Sequence, residues 1–237
     1  MIHRLLSCLA SIKWLVCGKP KWVYRNDVWL PCFQDGIAKE ISASILSGSY
    51  EAKELALVKR HLEPKDIVLE LGAGIGCISS FCAKVLGPGR VFAVEANENL
   101  TPIILATFAR NSVHPHLENV ILGKGDGDAK FFVSASFWES STTGDVSRMK
   151  PVEVKQVDFS RKLAATKATF LIVDIEGGEA DLFDDADLSG VTKICLETHE
   201  DMIGNARTSM IFANLLRQGF ILDFKLVYRN VYYFYKP

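Results

Sequence analysis

Three glycines at alternate positions constrain the fold of this chain more than any other feature. The segment VLELGAGIG, residues 68–76, passes from an apolar run into Gly72, Gly74 and Gly76. Glycines permit backbone dihedrals that other residues avoid, and they let a ligand approach the main chain closely. The pattern predicts a buried strand, a tight turn and a helix beginning near Gly76, the arrangement that binds ligands in open α/β sheets.

From residue 50 onward, segments with helical periodicity alternate with short apolar runs typical of buried strands. Helices are predicted in EAKELALVKRHLEP, in CISSFCAKVLG, from Thr101 to about Asn111 and in SMIFANLLRQG. The predicted strands are DIVLEL, RVFAVEA, NVIL, AKFFVS, VEVKQVD, ATFLIVD, KICLET and, around a turn near Arg229, FILDFKLVYRNVYYFYKP. This alternation predicts an α/β fold with a mostly parallel sheet, helices on both faces and an antiparallel C-terminal strand.

Composition narrows the class of partner. The 237 residues carry a formal net charge of −1, which provides no basic field for a nucleic acid backbone. We therefore expect a small-molecule or glycan partner and no nucleic acid. The six cysteines form no CxxC pair, which favours reduced thiols in a cytoplasmic protein over disulfides or a zinc site.

Residues 1–49 are predicted to be an N-terminal extension, made of a helix and an irregular or hairpin segment, ahead of a domain spanning residues 50–237. The apolar run at the start is interrupted by Lys13 and is too short to span a membrane. Its helical spacing predicts packing on the domain or on a partner chain, with membrane-surface contact as the alternative. This segment and the aromatic C-terminal strands are candidate surfaces for homo-oligomer formation.

The spacing of the glycines discriminates between nucleotide sites. A dinucleotide fingerprint needs its third glycine where this chain has Cys77, and no phosphate-loop motif GxxxxGK[ST] occurs. The GxGxG spacing after Glu70 resembles the first motif of class I S-adenosylmethionine-dependent methyltransferases. Glu95 ends the second strand about 20 residues after the glycines, where a carboxylate can accept hydrogen bonds from both ribose hydroxyls of an adenosyl cofactor.

The acidic residues that follow the predicted strand ATFLIVD give a more specific resemblance to a known family. FLIVDIEGGEADLF resembles the D-[VI]-E-G-x-E signature of the FkbM family of methyltransferases, and ICLETHE resembles the E-x-H segment that follows it there. The likeness covers roughly residues 50–225. It implies a Rossmann-like class I methyltransferase fold with a seven-stranded sheet. It also implies S-adenosyl-L-methionine as methyl donor, S-adenosyl-L-homocysteine as product, and usually O-methylation of a hydroxyl on a saccharide or natural product.

The predicted cofactor contacts lie at the strand ends and just before the first strand. Glu70 could reach the cofactor's amino group or the backbone around it. Tyr50 and Glu51 could approach its methionyl end, although Tyr50 could equally be a half-buried packing residue. Asp126 is the candidate for the adenine contact, with a polar turn as the alternative. The full predicted set is Tyr50, Glu51, Glu70, Gly72, Ala73, Gly74, Gly76, Glu95, Ala96 and Asp126.

The predicted catalytic residues follow the fourth and fifth parallel strands. His199 is the candidate general base, since the ordinary pKa of histidine lies near neutral pH, and Asp174 or Glu176 would orient it or the acceptor. A hydrogen-bonded structural histidine is the alternative. The polar segment SFWESSTTGD, residues 136–145, is a candidate mobile loop over the acceptor site or else a simple crossing loop.

Oxygen and nitrogen ligands for Mg²⁺ or a similar hard cation could also come from Asp174, Glu176, Glu179, Glu197 and His199. We expect no metal, because Glu179 can instead charge the start of the next helix. The predicted function is thus O-methylation with S-adenosylmethionine. A catalytically inactive adenosyl-binding module for interaction or sensing is the alternative. A nicotinamide oxidoreductase shares the Glu95 argument but not the glycine spacing.

Overall fold

The structure, a computed structural model, describes residues 19–133, 150–175, 177–184 and 186–237. The predicted N-terminal helix, the loop at residues 136–145 and Glu176 lie outside these ranges. In the described part, no helix combines the length and the hydrophobicity that a membrane crossing requires.

The strands are β1 (Trp22–Arg25), β2 (Val28–Pro31), β3 (Val68–Leu71), β4 (Val91–Val94), β5 (His116–Glu118), β6 (Ile121–Gly123), β7 (Gly127–Val133), β8 (Lys150–Asp158), β9 (Phe170–Val173), β10 (Lys193–Glu197), β11 (Ile221–Leu222) and β12 (Val231–Tyr235). The α-helices are α1 (Lys39–Ser47), α2 (Ala52–His61), α3 (Cys77–Leu86), α4 (Thr101–Asn111), α5 (Phe159–Thr166), α6 (Glu179–Leu182) and α7 (Glu200–Arg217). Short 3-10 helices span Glu98–Leu100 and Phe224–Leu226.

Within the described ranges, seven strands form the main sheet in the order β11-β12-β10-β9-β3-β4-β5. Strands β5, β4, β3, β9 and β10 run parallel, and β12 runs antiparallel to both of its neighbours. The predicted fold class, a mostly parallel seven-stranded sheet with an antiparallel C-terminal strand, is confirmed. Because β3 lies between β4 and β9, the glycine turn after β3 opens at the centre of the sheet's carboxyl edge.

One prediction about the sheet is wrong. The segment NVIL was expected to be the third strand, but the strand that pairs with β4 is His116–Glu118. Ile121–Gly123 instead pairs with β8 in a separate sheet of order β6-β8-β7. The sequence His-Leu-Glu has two exposed polar residues around one half-buried leucine, as suits the sheet's edge, so no apolar run marks it as a strand.

The two faces of the main sheet carry separate hydrophobic clusters. Successive strand residues point to opposite faces, so Val68 joins one cluster and Leu69 joins the other. The first cluster includes residues of α1 to α4 and of the β1–β2 hairpin, and the second includes residues of α5 to α7. The hairpin and α1 therefore share a core with the rest of the protein, while the domain boundary at residue 50 stays a prediction.

The described cysteines, Cys32, Cys77, Cys82 and Cys195, are free and buried. Burial raises the pKa of the Cys77, Cys82 and Cys195 thiols well above the ordinary value. A high pKa keeps a thiol protonated and unreactive, so these side chains serve as small apolar packing groups. The cytoplasmic location and a homo-oligomeric state stay predictions.

Candidate active site

A cavity of about 780 Å³ opens at the carboxyl edge of the main sheet. Its wall combines residues that follow three neighbouring strands: Gly72 and Gly74 after β3, Glu95 after β4 and Asp174 after β9. Parallel strands bring their carboxyl ends to one edge, which explains why positions distant in sequence meet here. Of the predicted cofactor residues, those lining the cavity are Tyr50, Glu51, Gly72, Gly74, Glu95 and Ala96.

The turn after β3 depends on the absence of side chains at its glycines. Gly72 has φ +85°, and a Cβ built on it would lie 1.8 Å from the Asp174 carbonyl oxygen. A Cβ on Gly74 would lie 2.9 Å from the Tyr50 hydroxyl, so its bare backbone faces the cavity side chains. Gly76 packs against Phe108 of α4, and neither Gly76 nor the buried Ala73 lines the cavity.

Glu95 is fixed by the backbone on both sides of its carboxylate. Its Oε2 accepts a hydrogen bond from the Gly74 N–H at 2.9 Å, and its Oε1 accepts one from the Asn97 N–H at 2.9 Å. Burial raises the pKa of Glu95 to about 7, even though these donors favour the ionised form. A carboxylate has about four lone-pair sites, so Glu95 can still accept a hydrogen bond from a ligand.

Tyr50 and Glu51 form a second wall opposite Gly74. The Tyr50 hydroxyl hydrogen-bonds the Glu51 carboxylate, and burial raises the pKa of Glu51 to about 8. Glu51 Oε2 is buried and has no hydrogen-bond partner among the described residues. A buried carboxylate oxygen is costly to leave unpaired, so this atom points to a donor group that a ligand would bring.

Two residues predicted to contact the cofactor do not line the cavity. Glu70 lies on the same face of β3 as Val68, against α3, where its carboxylate accepts a hydrogen bond from the Ser79 hydroxyl. Asp126 is exposed and forms an ion pair with Arg161, which lowers the pKa of Asp126. Its Oδ1 also accepts a hydrogen bond from the Asp158 N–H at 3.0 Å. Glu70 therefore packs behind the glycine turn, and Asp126 belongs to an ion pair on the surface.

His199 lies between two carboxylates. Its Nδ1 contacts Oε1 of Glu179, a fully buried residue at the start of α6, and its Nε2 lies 3.6 Å from Asp174 Oδ1. Asp174 lines the cavity, whereas His199 and Glu179 do not. The predicted proximity of His199 and Asp174 is therefore observed. The contact with Glu179 was missed, because sequence analysis gave that residue only helix-charging and metal-binding roles.

A group with metal-ligand chemistry adjoins this histidine. Ligand atoms of Asp174, Glu197 and His199 all lie within 4.8 Å of one another. Glu197 is also engaged elsewhere, since its Oε1 accepts a hydrogen bond from Asn230 Nδ2 at 2.7 Å. It also hydrogen-bonds the buried Glu54, whose pKa burial raises to about 7.

The small sheet supplies a cavity wall that sequence analysis did not anticipate. Leu122 of β6, Phe131 of β7 and Gln156 of β8 all line the cavity. Asn119 Nδ2 donates hydrogen bonds to the Glu95 and Ala96 carbonyls, which holds the entry to β6 against the end of β4. The alternation in VEVKQVD predicted a strand but gave no sign of which ligand it would face.

Comparison with protein families identifies one match. Residues 70–222 match the family described as the methyltransferase FkbM domain, which is more than half of the chain. The matched range includes Gly72, Glu95, Asp174 and His199. No curated protein matches the chain significantly.

Several solved structures are similar to this one at low identity. A ribosomal protein L11 methylase from Lactobacillus delbrueckii subsp. bulgaricus has a TM-score of 0.49 and 14% identity over 80% of each chain. A magnesium protoporphyrin IX methyltransferase from Synechocystis PCC 6803, solved with bound SAM, has a TM-score of 0.45 and 13% identity over 86% of this chain and 88% of that chain. A methyltransferase from Pyrococcus furiosus has a TM-score of 0.41 and 14% identity over 100% of this chain and 99% of that chain.

Proposed function

The chain belongs to the FkbM methyltransferase family, and on this premise we propose that it transfers a methyl group from S-adenosyl-L-methionine to a hydroxyl of a saccharide or natural product. One observation carries the proposal: the glycine turn, the fixed Glu95 carboxylate and Asp174 all face the same cavity. When bound, the cofactor supplies an activated methyl group. The protein's own residues must then hold the cofactor, align the acceptor and take up its proton.

The cavity residues suit the three parts of such a cofactor. The unpaired Glu51 Oε2 is a partner for an ammonium group. The Glu95 carboxylate, held at the end of β4, suits hydrogen bonding to the ribose hydroxyls. Ala96, Leu100, Val120 and Leu122 add an apolar wall that suits a flat aromatic base.

In this proposal Asp174, which lines the cavity, accepts the acceptor's proton and passes it to His199, and Glu179 keeps the imidazole ring in position. The Glu179 carboxylate engages Nδ1, which leaves Nε2 directed toward Asp174 at the cavity edge. A positioned base contributes about 10²- to 10⁴-fold, whereas alignment of the reacting groups supplies on the order of 7 to 11 kcal/mol. Holding the two substrates in place is therefore the larger part of catalysis. Glu176 keeps its predicted role in orienting the base or acceptor.

We assign no metal to Asp174, Glu197 and His199. Glu197 already accepts a hydrogen bond from Asn230 Nδ2 and also hydrogen-bonds Glu54, so its carboxylate is engaged within the protein. Turnover should therefore persist in the presence of a chelator. Loss of turnover that added Mg²⁺ restores would overturn this assignment.

The proposed activity can be tested with methyl-labelled S-adenosylmethionine and a panel of hydroxylated acceptors: free sugars, lipid-linked glycans and polyketide-like alcohols. We expect a labelled methyl ether, detected by mass spectrometry, together with an equal amount of S-adenosylhomocysteine. Cofactor binding without methyl transfer to any member would instead favour an inactive adenosyl-binding module. Absence of cofactor binding would exclude both functions.

A further inference from the structure

The wall contributed by the small sheet places the Gln156 amide beside apolar side chains. Leu122 and Phe131 are buried and line the cavity, and Gln156 lies beside them. Because Asn119 fastens the entry to β6 against the carbonyls of Glu95 and Ala96, this wall follows directly on the residues proposed to hold the ribose. A base attached to that ribose would meet this part of the cavity.

The orientation of the Gln156 amide is fixed by the protein. Its Nε2 donates to the carbonyl oxygens of Lys124 at 3.1 Å and Gly125 at 3.2 Å. A flipped amide would place Oε1 against those two carbonyls, so the observed orientation is the one that satisfies the donors. A Cβ on Gly123 would lie 2.9 Å from Gln156 Cδ and 3.0 Å from Oε1, so the side chain lies tightly against the bare glycine.

This arrangement leaves Gln156 Oε1 as an acceptor that accepts no hydrogen bond within the described part of the chain. Other polar side chains of this wall are less suited to recognising a neutral base. Lys124 and Lys130 are cations and only donate, and Asp181 forms an ion pair with Arg207. Asp184 also lines the cavity, beside Asp181, and it is exposed.

We propose that Gln156 Oε1 accepts a hydrogen bond from the exocyclic amino group of the cofactor's adenine and thereby selects adenine over bases that carry a carbonyl there. The inference rests on the proposed function, because it requires an adenosyl cofactor in this cavity. An amide oxygen matches the N6 amino group, which donates, and opposes a C6 carbonyl, which accepts. Asp126, the adenine contact predicted from sequence, is not needed in this account.

The test compares S-adenosylhomocysteine with S-inosylhomocysteine, in which oxygen replaces the N6 amino group, by calorimetric titration. The wild-type protein should bind the adenosyl ligand at least about 10-fold more tightly. Gln156→Met, which keeps the length of the side chain but removes the acceptor, should bind the two ligands with nearly equal affinity. Gln156→Leu provides a second variant, and circular dichroism checks that each variant is folded.

Two control variants test whether the preference for the adenosyl ligand depends specifically on Gln156. Asp126→Asn should keep the full preference, because Asp126 does not line the cavity. Asp184→Asn should keep it as well. Equal binding of the two ligands by the wild-type protein would overturn the inference, as would a preference that survives in a folded Gln156 variant or disappears in Asp184→Asn. If the wild-type protein bound neither ligand, the proposed function itself would fail.

Discussion

The Gly74 N–H donates a hydrogen bond of 2.9 Å to Glu95 Oε2 and so joins the turn after β3 to the end of β4. The bond sets the carboxylate beside a backbone position where a Cβ would be crowded by Tyr50. Glu95, the acid proposed to bind the ribose, is therefore joined to the glycine turn before any ligand binds. Preorganisation of this kind reduces the ordering that binding would otherwise require.

Gly72→Ala should destabilise the protein strongly. The added Cβ would suffer both the strain of φ +85° and a contact of 1.8 Å with the Asp174 carbonyl oxygen, a backbone atom that cannot swing away. Strain and overpacking together should lower the free energy of unfolding by about 2 to 5 kcal/mol, measured by urea denaturation. Gly48→Ala is the matched control, since Gly48 has φ +79° and nothing within 4 Å of its Cβ position. If both variants lost the same free energy of unfolding, the close contact between position 72 and the Asp174 carbonyl oxygen would be contradicted.

Glu51 should make stability depend on pH. Burial raises the pKa of Glu51 from 4.5 to about 8, so the folded state retains a proton that the unfolded state releases. The free energy of unfolding should therefore fall as pH rises from about 4.5 to 8 and level off above that range. Glu51→Gln should reduce this decrease in the free energy of unfolding. At pH 9 it should be more stable than wild type by roughly 2 to 4 kcal/mol, allowing for water in the cavity, and at pH 4 about equally stable.

Glu40→Gln, on the exposed side of α1, controls for the general loss of one negative charge and should leave the pH dependence unchanged. Parallel curves for wild type and Glu51→Gln between pH 5 and pH 9 would contradict the burial of the Glu51 carboxylate. Chemical denaturation at a series of pH values measures both variants under the same conditions.

His199 should contribute to turnover and not to cofactor affinity. His199→Ala should lower turnover by about 10²- to 10⁴-fold while leaving the affinity for S-adenosylhomocysteine unchanged, because His199 does not line the cavity. Glu179→Gln should cause a smaller loss, since the side chain keeps its size but presents a neutral amide to Nδ1. Asp201→Asn, on the exposed start of α7, should behave as wild type. Full turnover in His199→Ala would remove its role as a base.

Local sequence patterns predicted the main sheet because its central strands are short, mostly apolar runs. All four residues of Phe170–Val173 are buried, as are those of Val68–Leu71, and such runs are recognisable without tertiary information. The edge strand His116–Glu118 lacks that signal, since its pairing with β4 depends on the position of its neighbour. The sheet's centre was therefore predictable and its edge was not.

The residues of the candidate site also differ in how far the sequence predicted their positions. Gly72, Gly74 and Glu95 follow strands directly, so the topology of a parallel sheet is enough to bring them together. Asp126 forms an ion pair with Arg161, which lies far along the chain. Glu179, which contacts His199, belongs to a different helix. Such pairings are set by packing and leave no periodic signal in the sequence.

The central claim is that this cavity binds an adenosyl cofactor through Glu95. Titration calorimetry of the wild-type protein and Glu95→Gln with S-adenosylhomocysteine tests it most directly, with folding of both checked by circular dichroism. We predict saturable binding at one site, weakened at least about 10-fold in Glu95→Gln, because charge-assisted hydrogen bonds to the ribose hydroxyls are lost. Absence of saturable binding to the folded wild-type protein, or equal affinity in the two proteins, would contradict the claim.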